Sequence, residues 1–195
     1  EKYWTAYHEA GHAVIAYLLH PTNDVIKATI IPRRGALGFI SQRPVEELHS
    51  SDKDQLMANI KVSIAAYVAE KMKFGMTSSG VGGGPGSDFD TAIKYARYMV
   101  WSLGMGESGL VGDFTALPES HISESTREKL DADIQKILLS CIKEVEETLK
   151  EHNEVFEKFA QELLKKEDLE YDEIISIFDN FGIKSGRFLS SQNDS

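Results

Sequence analysis

The chain has 195 residues, of which 42% are hydrophobic and 27% are charged. This length fits one domain, or one domain with an appended lobe, and the composition excludes a disordered chain because enough apolar residues are present to bury a core. Acidic residues outnumber basic ones by 31 to 21, which gives a net charge of −10. Nucleic acids and anionic membranes are bound by basic surfaces, so we expect no nucleic-acid partner.

The only cysteine, Cys141, excludes an intrachain disulfide and a cysteine-based structural zinc site. Its apolar neighbours predict that it lies on a buried helix face. The sequence contains no apolar stretch long enough for a transmembrane helix and no signal peptide. Because the chain does not begin with Met, we expect it to be a fragment of a longer protein, whose membrane anchor or motor would lie elsewhere.

Residue spacing predicts the elements of the first half of the chain. In chain order they are a helix from Tyr3 to Leu19, extended runs at 25–31 and 36–42, and a helix from Ser51 to Lys73. Pro21 stops the first helical pattern, the turn residues 32–35 separate the extended runs, and Gly75 fits the end of the second helix. The two extended runs predict a small β-hairpin or sheet.

The second half is predicted to be helical apart from its loops. Its elements are a glycine-rich loop at 80–86, a helix from Thr91 to Ser102, one long helix or two consecutive helices from Ser123 to Lys166, and a short helix from Tyr171 to Phe181. The polar side chains of 87–90 suit the start of a helix, which places Asp88 at a loop-to-helix junction. We therefore expect a mainly α fold with a small β-hairpin or sheet.

The motif with chemical meaning is His8-Glu9-Ala10-Gly11-His12, an H-E-x-x-H sequence within the first predicted helix. Residues four apart share one helix face, so both imidazoles can bind one zinc ion. Zinc lowers the pKa of a bound water, and Glu9 is placed to take a proton from that water as general base. The motif therefore indicates zinc-dependent hydrolysis.

A catalytic zinc site needs a third protein ligand. Metzincins use a histidine six residues after the second motif histidine, but that position is Leu18. Gluzincins use a glutamate from a nearby second helix, but the first downstream glutamates, Glu46–Glu47, lie in a predicted loop. The residues alone leave Glu70, Asp88 and Asp90 as candidates. The two aspartates are better placed, because a carboxylate at a helix start can be directed into a neighbouring site. The isolated histidines have no predicted role: His20, His49, His121 and His152.

Several further motifs accompany the zinc motif. They are His8–Ala13, Ile30–Arg33, Ala36–Gly38, Ser87–Asp88, Ala96–Val100 and Leu103–Met105. Together they resemble the peptidase domain of the FtsH family of membrane-tethered, ATP-dependent zinc proteases, over nearly the whole chain. In that family the third ligand is an aspartate eight residues before an Ala-Arg pair, which corresponds here to Asp88. The resemblance thus implies Asp88 as the ligand, with Asp90 in a capping or supporting position.

The resemblance implies the metal-site residues His8, His12 and Asp88, the catalytic residue Glu9, and Zn²⁺ as cofactor. It further implies unfolded or membrane-extracted polypeptides as substrates, a homo-hexamer, and an attached AAA module and membrane anchor in the parent protein. The domain would lie on the cytoplasmic or equivalent organelle-interior side of that membrane. ATP would be bound only by the AAA module, because the loop 80–86 lacks the lysine of a phosphate-binding loop.

Within this interpretation we expect a zinc-binding catalytic core at 1–116, a C-terminal helical lobe at 117–183, and a disordered tail at 184–195. The run 36–42 either pairs with an extended substrate or is an ordinary sheet strand. The loop before Asp88 is longer and richer in glycine than is usual in the family.

Two other functions compete with proteolysis. The first is a non-catalytic, zinc-stabilised oligomerisation module, against which Glu9 argues because a structural site does not need it. The second is a deformylase-like hydrolase, which would require a cysteine ligand in a context that Cys141 does not offer.

Overall fold

The computed structural model describes residues 1–45 and 49–193. Glu46 and Glu47, considered above as possible ligands, lie outside the described residues. The described helices are α1 (Lys2–Leu19), α2 (Lys53–Phe74), α3 (Asp88–Arg97), α4 (Glu124–Glu151), α5 (Asn153–Lys166), α6 (Tyr171–Asn180) and α7 (Gly186–Asn193). The described strands are β1 (Asn23–Thr29), β2 (Phe39–Pro44) and β3 (Asp168–Glu170). The predicted mainly α fold with a small sheet is confirmed.

Helices α1 and α2 form the centre of the core and pack closely against each other. A Cβ atom on Gly11 would lie 2.6 Å from Ala69 Cβ and 3.0 Å from the carbonyl oxygen of Ala65. Glycine between the two motif histidines therefore lets the backbones approach, as small residues do at tight helix crossings. The contact fixes the distance between the zinc motif and α2.

The ends of α2 follow from local sequence. The Asp52 carboxylate accepts the Gln55 N–H at 2.8 Å, while the Gln55 side chain accepts the Asp52 N–H at 2.9 Å. This reciprocal arrangement is a capping box, which satisfies backbone donors at a helix start. Gly75 ends the helix with φ 72°, a left-handed conformation that glycine adopts without steric cost.

The three strands form an antiparallel sheet in the order β2-β1-β3. Strand β1 pairs with β2 through Ala28 opposite Ile40, which confirms the predicted hairpin, and with β3 through Ala28 opposite Leu169. The short strand β3 was not predicted, because three residues between two helices are too few to show an alternating pattern. Strand β2 lies at the edge of the sheet.

The predicted helix from Thr91 to Ser102 differs from the structure at both ends. Helix α3 begins earlier, at Asp88, where the Ser87 hydroxyl accepts the Asp90 N–H at 3.4 Å. After Arg97 the chain continues as a π-helix over Tyr98–Ser102. Periodicity cannot separate the two helix types over one turn.

The C-terminal helices pack against the N-terminal elements, with α5 against α1 and α4 mainly against α2. The predicted segment from Ser123 to Lys166 is two helices, α4 and α5, separated at His152. Helix α5 packs against α1, and β3 completes the sheet. Residues beyond 116 therefore contribute to the packing around α1.

The tail expected to be disordered from residue 184 contains helix α7 in the structure. A Cβ atom on Gly186 would lie 2.5 Å from the carbonyl oxygen of Leu18, so glycine allows α7 to approach the end of α1. Arg187 also pairs with Asp24 at 3.3 Å. These contacts hold α7 against the rest of the fold. The composition of the tail cannot reveal them, because they are made to distant residues. Among the residues that the structure describes, we find no helix with the length and hydrophobicity needed to cross a bilayer.

Candidate metal centre

Helix α1 places His8 and His12 one turn apart, with ring centroids separated by 5.0 Å. Asp88, at the start of α3, lies opposite both rings. Its Oδ2 atom is 3.2 Å from His8 Nε2 and 3.3 Å from His12 Nε2. The structure thus brings together three of the residues that the sequence analysis named.

The other nitrogen of each imidazole has a hydrogen-bond acceptor. His8 Nδ1 lies 2.7 Å from Glu70 Oε1, and His12 Nδ1 lies 2.6 Å from the carbonyl oxygen of Val62. Since a carboxylate and a carbonyl only accept, each Nδ1 carries the proton and donates it. In the neutral rings both Nε2 atoms therefore present lone pairs towards Asp88.

This donor set fits a zinc ion. Asp88 Oδ2 is buried and has no hydrogen-bond partner among the described residues, and the ligand atoms of the three residues lie within 4.8 Å of one another. Zinc ligands at about 2.0–2.1 Å in a tetrahedral arrangement are separated by about 3.3 Å, which matches the two distances measured to Asp88. Lone pairs that face each other repel unless a cation lies between them.

The pKa values of these groups reflect the negative charge of the nearby carboxylates. Burial lowers the pKa of His8, but the nearby carboxylates of Asp88 and Glu70 outweigh it and raise that pKa to about 10. Burial likewise opposes the charged form of His12, yet Asp88 raises its pKa. For Asp88, burial raises the pKa, but the two nearby imidazoles outweigh burial and lower the pKa to about 2. Without a metal, the site favours a positive charge on its histidines.

Glu9 lies beside the three residues and is 6% exposed. Burial raises its pKa, and the nearby imidazoles only partly offset that rise. A Cβ atom on Gly38 would lie 2.9 Å from Glu9 Cγ and 2.8 Å from the carbonyl oxygen of Thr29. Glycine at position 38 therefore lets the chain entering β2 run directly over Glu9, which shields the carboxylate from solvent.

The four residues His8, Glu9, His12 and Asp88 line a cleft of about 860 Å³. Its walls are formed by α1, by residues 34–42, by the side of α2, and by the loop 80–87. The loop therefore forms one wall of the cleft and leads directly into Asp88 at the start of α3.

Sequence comparison identifies the family. The sequence profile of peptidase family M41 matches residues 1–177. This chain belongs to peptidase family M41. It is 37% identical over 185 residues to the ATP-dependent zinc metalloprotease FtsH of Borreliella burgdorferi (strain ZS7), which covers 89% of this chain and 28% of that protein. It is 35% identical over 170 residues to the human ATP-dependent zinc metalloprotease YME1L1, covering 87% of this chain and 22% of that protein. The chain thus spans less than a third of each relative.

In this M41 domain the two other candidate ligands, Glu70 and Asp90, lie outside the cluster of His8, His12 and Asp88. Glu70 is fully buried and bonds to His8, while its carboxylate also accepts the Ser78 N–H at 2.6 Å and the Ser78 hydroxyl at 3.0 Å. Glu70 therefore orients His8 and connects it to the loop before Asp88. Its burial raises its pKa, but the bonds from His8 and Ser78 outweigh burial and lower it, so the carboxylate is ionised.

Asp90 bonds away from the metal centre. Its Oδ2 accepts the Gly86 N–H at 2.9 Å and the Lys94 ammonium at 2.7 Å. These bonds occupy the carboxylate and tie the end of the glycine-rich loop to α3. Asp90 thus supports the segment that positions Asp88.

The remaining histidines and the cysteine stand outside the metal cluster. His20 is buried at the end of α1, where its Nδ1 accepts the Asn23 N–H at 3.0 Å and its Nε2 bonds to Asn59 Oδ1 at 2.9 Å. Burial raises the pKa of Cys141 to about 11, which keeps the thiol protonated. The sequence does not reveal the roles of the Val62 carbonyl and Ser78, because a backbone acceptor and a common loop serine leave no distinctive signal.

Proposed function

We propose that this chain is a zinc-dependent endopeptidase domain in which His8, His12 and Asp88 bind the metal and Glu9 is the general base. The observation that carries the proposal is the buried Asp88 Oδ2, which has no hydrogen-bond partner among the described residues and faces the Nε2 atoms of both imidazoles. Membership of peptidase family M41 supports peptide hydrolysis as the reaction. Zinc held here would lower the pKa of a water molecule and polarise a peptide carbonyl as a Lewis acid.

The role of Glu9 follows from its surroundings. A carboxylate whose pKa is raised by burial is a stronger base than an exposed one, so Glu9 can accept a proton from the attacking water. The protonated Glu9 then donates that proton to the leaving amine nitrogen, which restores the carboxylate. Gly38 maintains the dry environment that both transfers need, because it allows the chain to cover Glu9 without a side chain between them.

Strand β2 supports a polypeptide substrate in an extended conformation. It pairs with β1 on one side, and its position at the sheet edge leaves the other side available within the described part of the chain. An added strand is recognised through main-chain hydrogen bonds, which are independent of sequence. Unfolded or membrane-extracted proteins, whose backbones are free to pair, are the substrates that suit this cleft.

The wider assembly is also part of the proposal. The relatives are named ATP-dependent, and this chain spans less than a third of their length, so we expect an attached AAA module and a membrane anchor in the parent protein. ATP would act through that module, and the domain would lie on the cytoplasmic or organelle-interior side. The homo-hexamer expected from the resemblance to the FtsH family completes this proposal.

A matched pair of measurements tests the function. Zinc content and cleavage of unstructured peptides are measured for the chain and for Glu9→Gln, each with and without a chelator. We expect the variant to keep its zinc and lose about 10²- to 10⁴-fold in cleavage rate, the range for removing a general base. Cleavage at the parent rate by Glu9→Gln would remove Glu9 from the mechanism. Zinc binding with no cleavage by the parent chain would instead favour the zinc-stabilised oligomerisation module.

A further inference from the structure

The turn between β1 and β2 holds an arginine in an unusual backbone conformation. Arg33 and Ala36 exchange two backbone hydrogen bonds, each 2.9 Å, which closes a two-residue turn. The residues within it, Arg34 and Gly35, have φ values of 46° and 86°. Two consecutive positive φ values are typical of a type I′ turn, whose first position favours Asn, Asp or Gly. Arginine at this position is unfavourable for the turn itself, so the turn does not explain its presence.

Arg34 lines the cleft that contains the metal centre. Apart from Arg34 and the two histidines, the charged side chains that line the cleft are acidic: Glu9, Glu70 and Asp88. Glu70 bonds to a motif histidine and to a loop serine, and Asp88 faces both histidines. Within residues 1–45 and 49–193, Arg34 forms no ion pair or side-chain hydrogen bond. The cleft wall thus presents one arginine whose guanidinium has no described partner.

We infer that Arg34 determines specificity by binding a carboxylate of the polypeptide substrate, an inference that rests on the proposed peptidase function. The planar guanidinium matches a carboxylate with two parallel hydrogen bonds. The hydrogen-bonded turn keeps the arginine backbone at the cleft, and its side chain is exposed to an incoming chain. The carboxylate belongs either to an internal Asp or Glu or to the C-terminus of the substrate.

Arg33 provides a matched control. It precedes Arg34 in the same turn and is also exposed, but it does not line the cleft. Asn replaces either arginine without a charge, and Asn is favoured at the first position of a type I′ turn, so Arg34→Asn preserves the turn. Arg33→Asn removes the same charge from outside the cleft. Arg34→Lys keeps the charge and serves as the conservative variant.

The experiment compares peptides that differ only in Glu or Gln at successive positions around the cleaved bond, each with a free or an amidated C-terminus. The ratio of kcat/KM for the Glu peptide to that for the Gln peptide is measured within each variant. We expect a ratio of about 2 to 5 at one position, the range for an exposed ion pair, expressed through KM and weakened by salt. Arg34→Asn should bring the ratio to about 1, whereas Arg33→Asn and Arg34→Lys should retain most of it. A dependence on the free C-terminus instead of Glu would identify the terminal carboxylate as the ligand.

A second measurement uses the same variants with Glu9→Gln added. Their binding of the same peptides, fluorescently labelled, is measured by fluorescence anisotropy. The inference would be overturned if the parent and Arg34→Asn gave equal Glu-to-Gln ratios in cleavage and in binding. It would also be overturned if Arg33→Asn lowered the ratio as much as Arg34→Asn does. If the parent chain cleaves no peptide, the proposed function fails. The anisotropy ratios still decide the role of Arg34, because they do not depend on catalysis.

Discussion

His8 Nδ1 lies 2.7 Å from Oε1 of Glu70, a carboxylate on α2 that is closed to solvent. The bond fixes the ring orientation of His8 and leaves Nε2 facing Asp88, where we propose that zinc binds. Since Glu70 also accepts two hydrogen bonds from Ser78, one buried carboxylate couples the zinc motif to the loop that precedes Asp88.

Replacing Glu70 by Gln should weaken zinc binding. The neutral amide cannot stabilise the His8 ring as a carboxylate does, and loss of such a supporting group lowers metal affinity by about 10- to 100-fold. Competition with a chromophoric chelator measures the change. Glu144→Gln is the control, because Glu144 likewise contacts a nitrogen donor, Lys61 Nζ at 2.7 Å, but away from the metal centre. Unchanged affinity in a folded Glu70→Gln protein would contradict the proposed support of His8.

Substituting Asp88 and Asp90 one at a time tests which of the two aspartates is the zinc ligand. Asp88→Asn removes the charge that faces both histidines, so it should lower zinc affinity more than Glu70→Gln does. Asp90→Asn removes bonds to Gly86 and Lys94 and should leave zinc bound. The same chelator competition, with zinc content after dialysis, distinguishes them. If Asp90→Asn lost zinc while Asp88→Asn kept it, the ligand assignment would be reversed.

Gly11→Ala should destabilise the fold. Alanine is the better helix former by about 1 kcal/mol, but its Cβ would lie 2.6 Å from Ala69 Cβ. Overpacking of this kind costs about 1–3 kcal/mol, so we expect a net loss in the free energy of unfolding. Urea denaturation checks this, with Gly84→Ala as control because a Cβ there meets no atom within 4 Å. Equal midpoints for the parent and Gly11→Ala would argue against close contact between α1 and α2.

Stability should fall in mild acid through His20. Burial lowers its pKa below the ordinary value, and the hydrogen bond to Asn59 opposes that only in part. The unfolded chain therefore binds more protons at this residue, so the stabilising contribution is complete above about pH 6.5 and is lost as pH falls below it. Unfolding free energies of the parent and His20→Gln, compared at pH 7.5 and 5.5, isolate this group from other histidines. The difference between the two proteins should shrink at the lower pH, and a constant difference would contradict the assignment.

The sequence predicted much of the fold because its signals are local. Apolar spacing located the helices, and Gly75 located the end of α2. The elements missed or misplaced depend on distant contacts: β3 exists because it pairs with β1, and α7 rests on the end of α1. Such contacts leave no periodic pattern in the segments themselves.

The sequence by itself determined that His8 and His12 share one helix face with Glu9 beside them, because helix geometry fixes side chains four residues apart. Only the tertiary structure shows which other groups lie next to these two histidines. It placed Asp88, not Asp90, opposite the two histidines, and it positioned Glu70 behind His8. The physical reason is that Asp88 and Glu70 reach the histidines only through the packing of α1 against α2 and the path of the glycine-rich loop, and these depend on contacts between residues far apart in the chain.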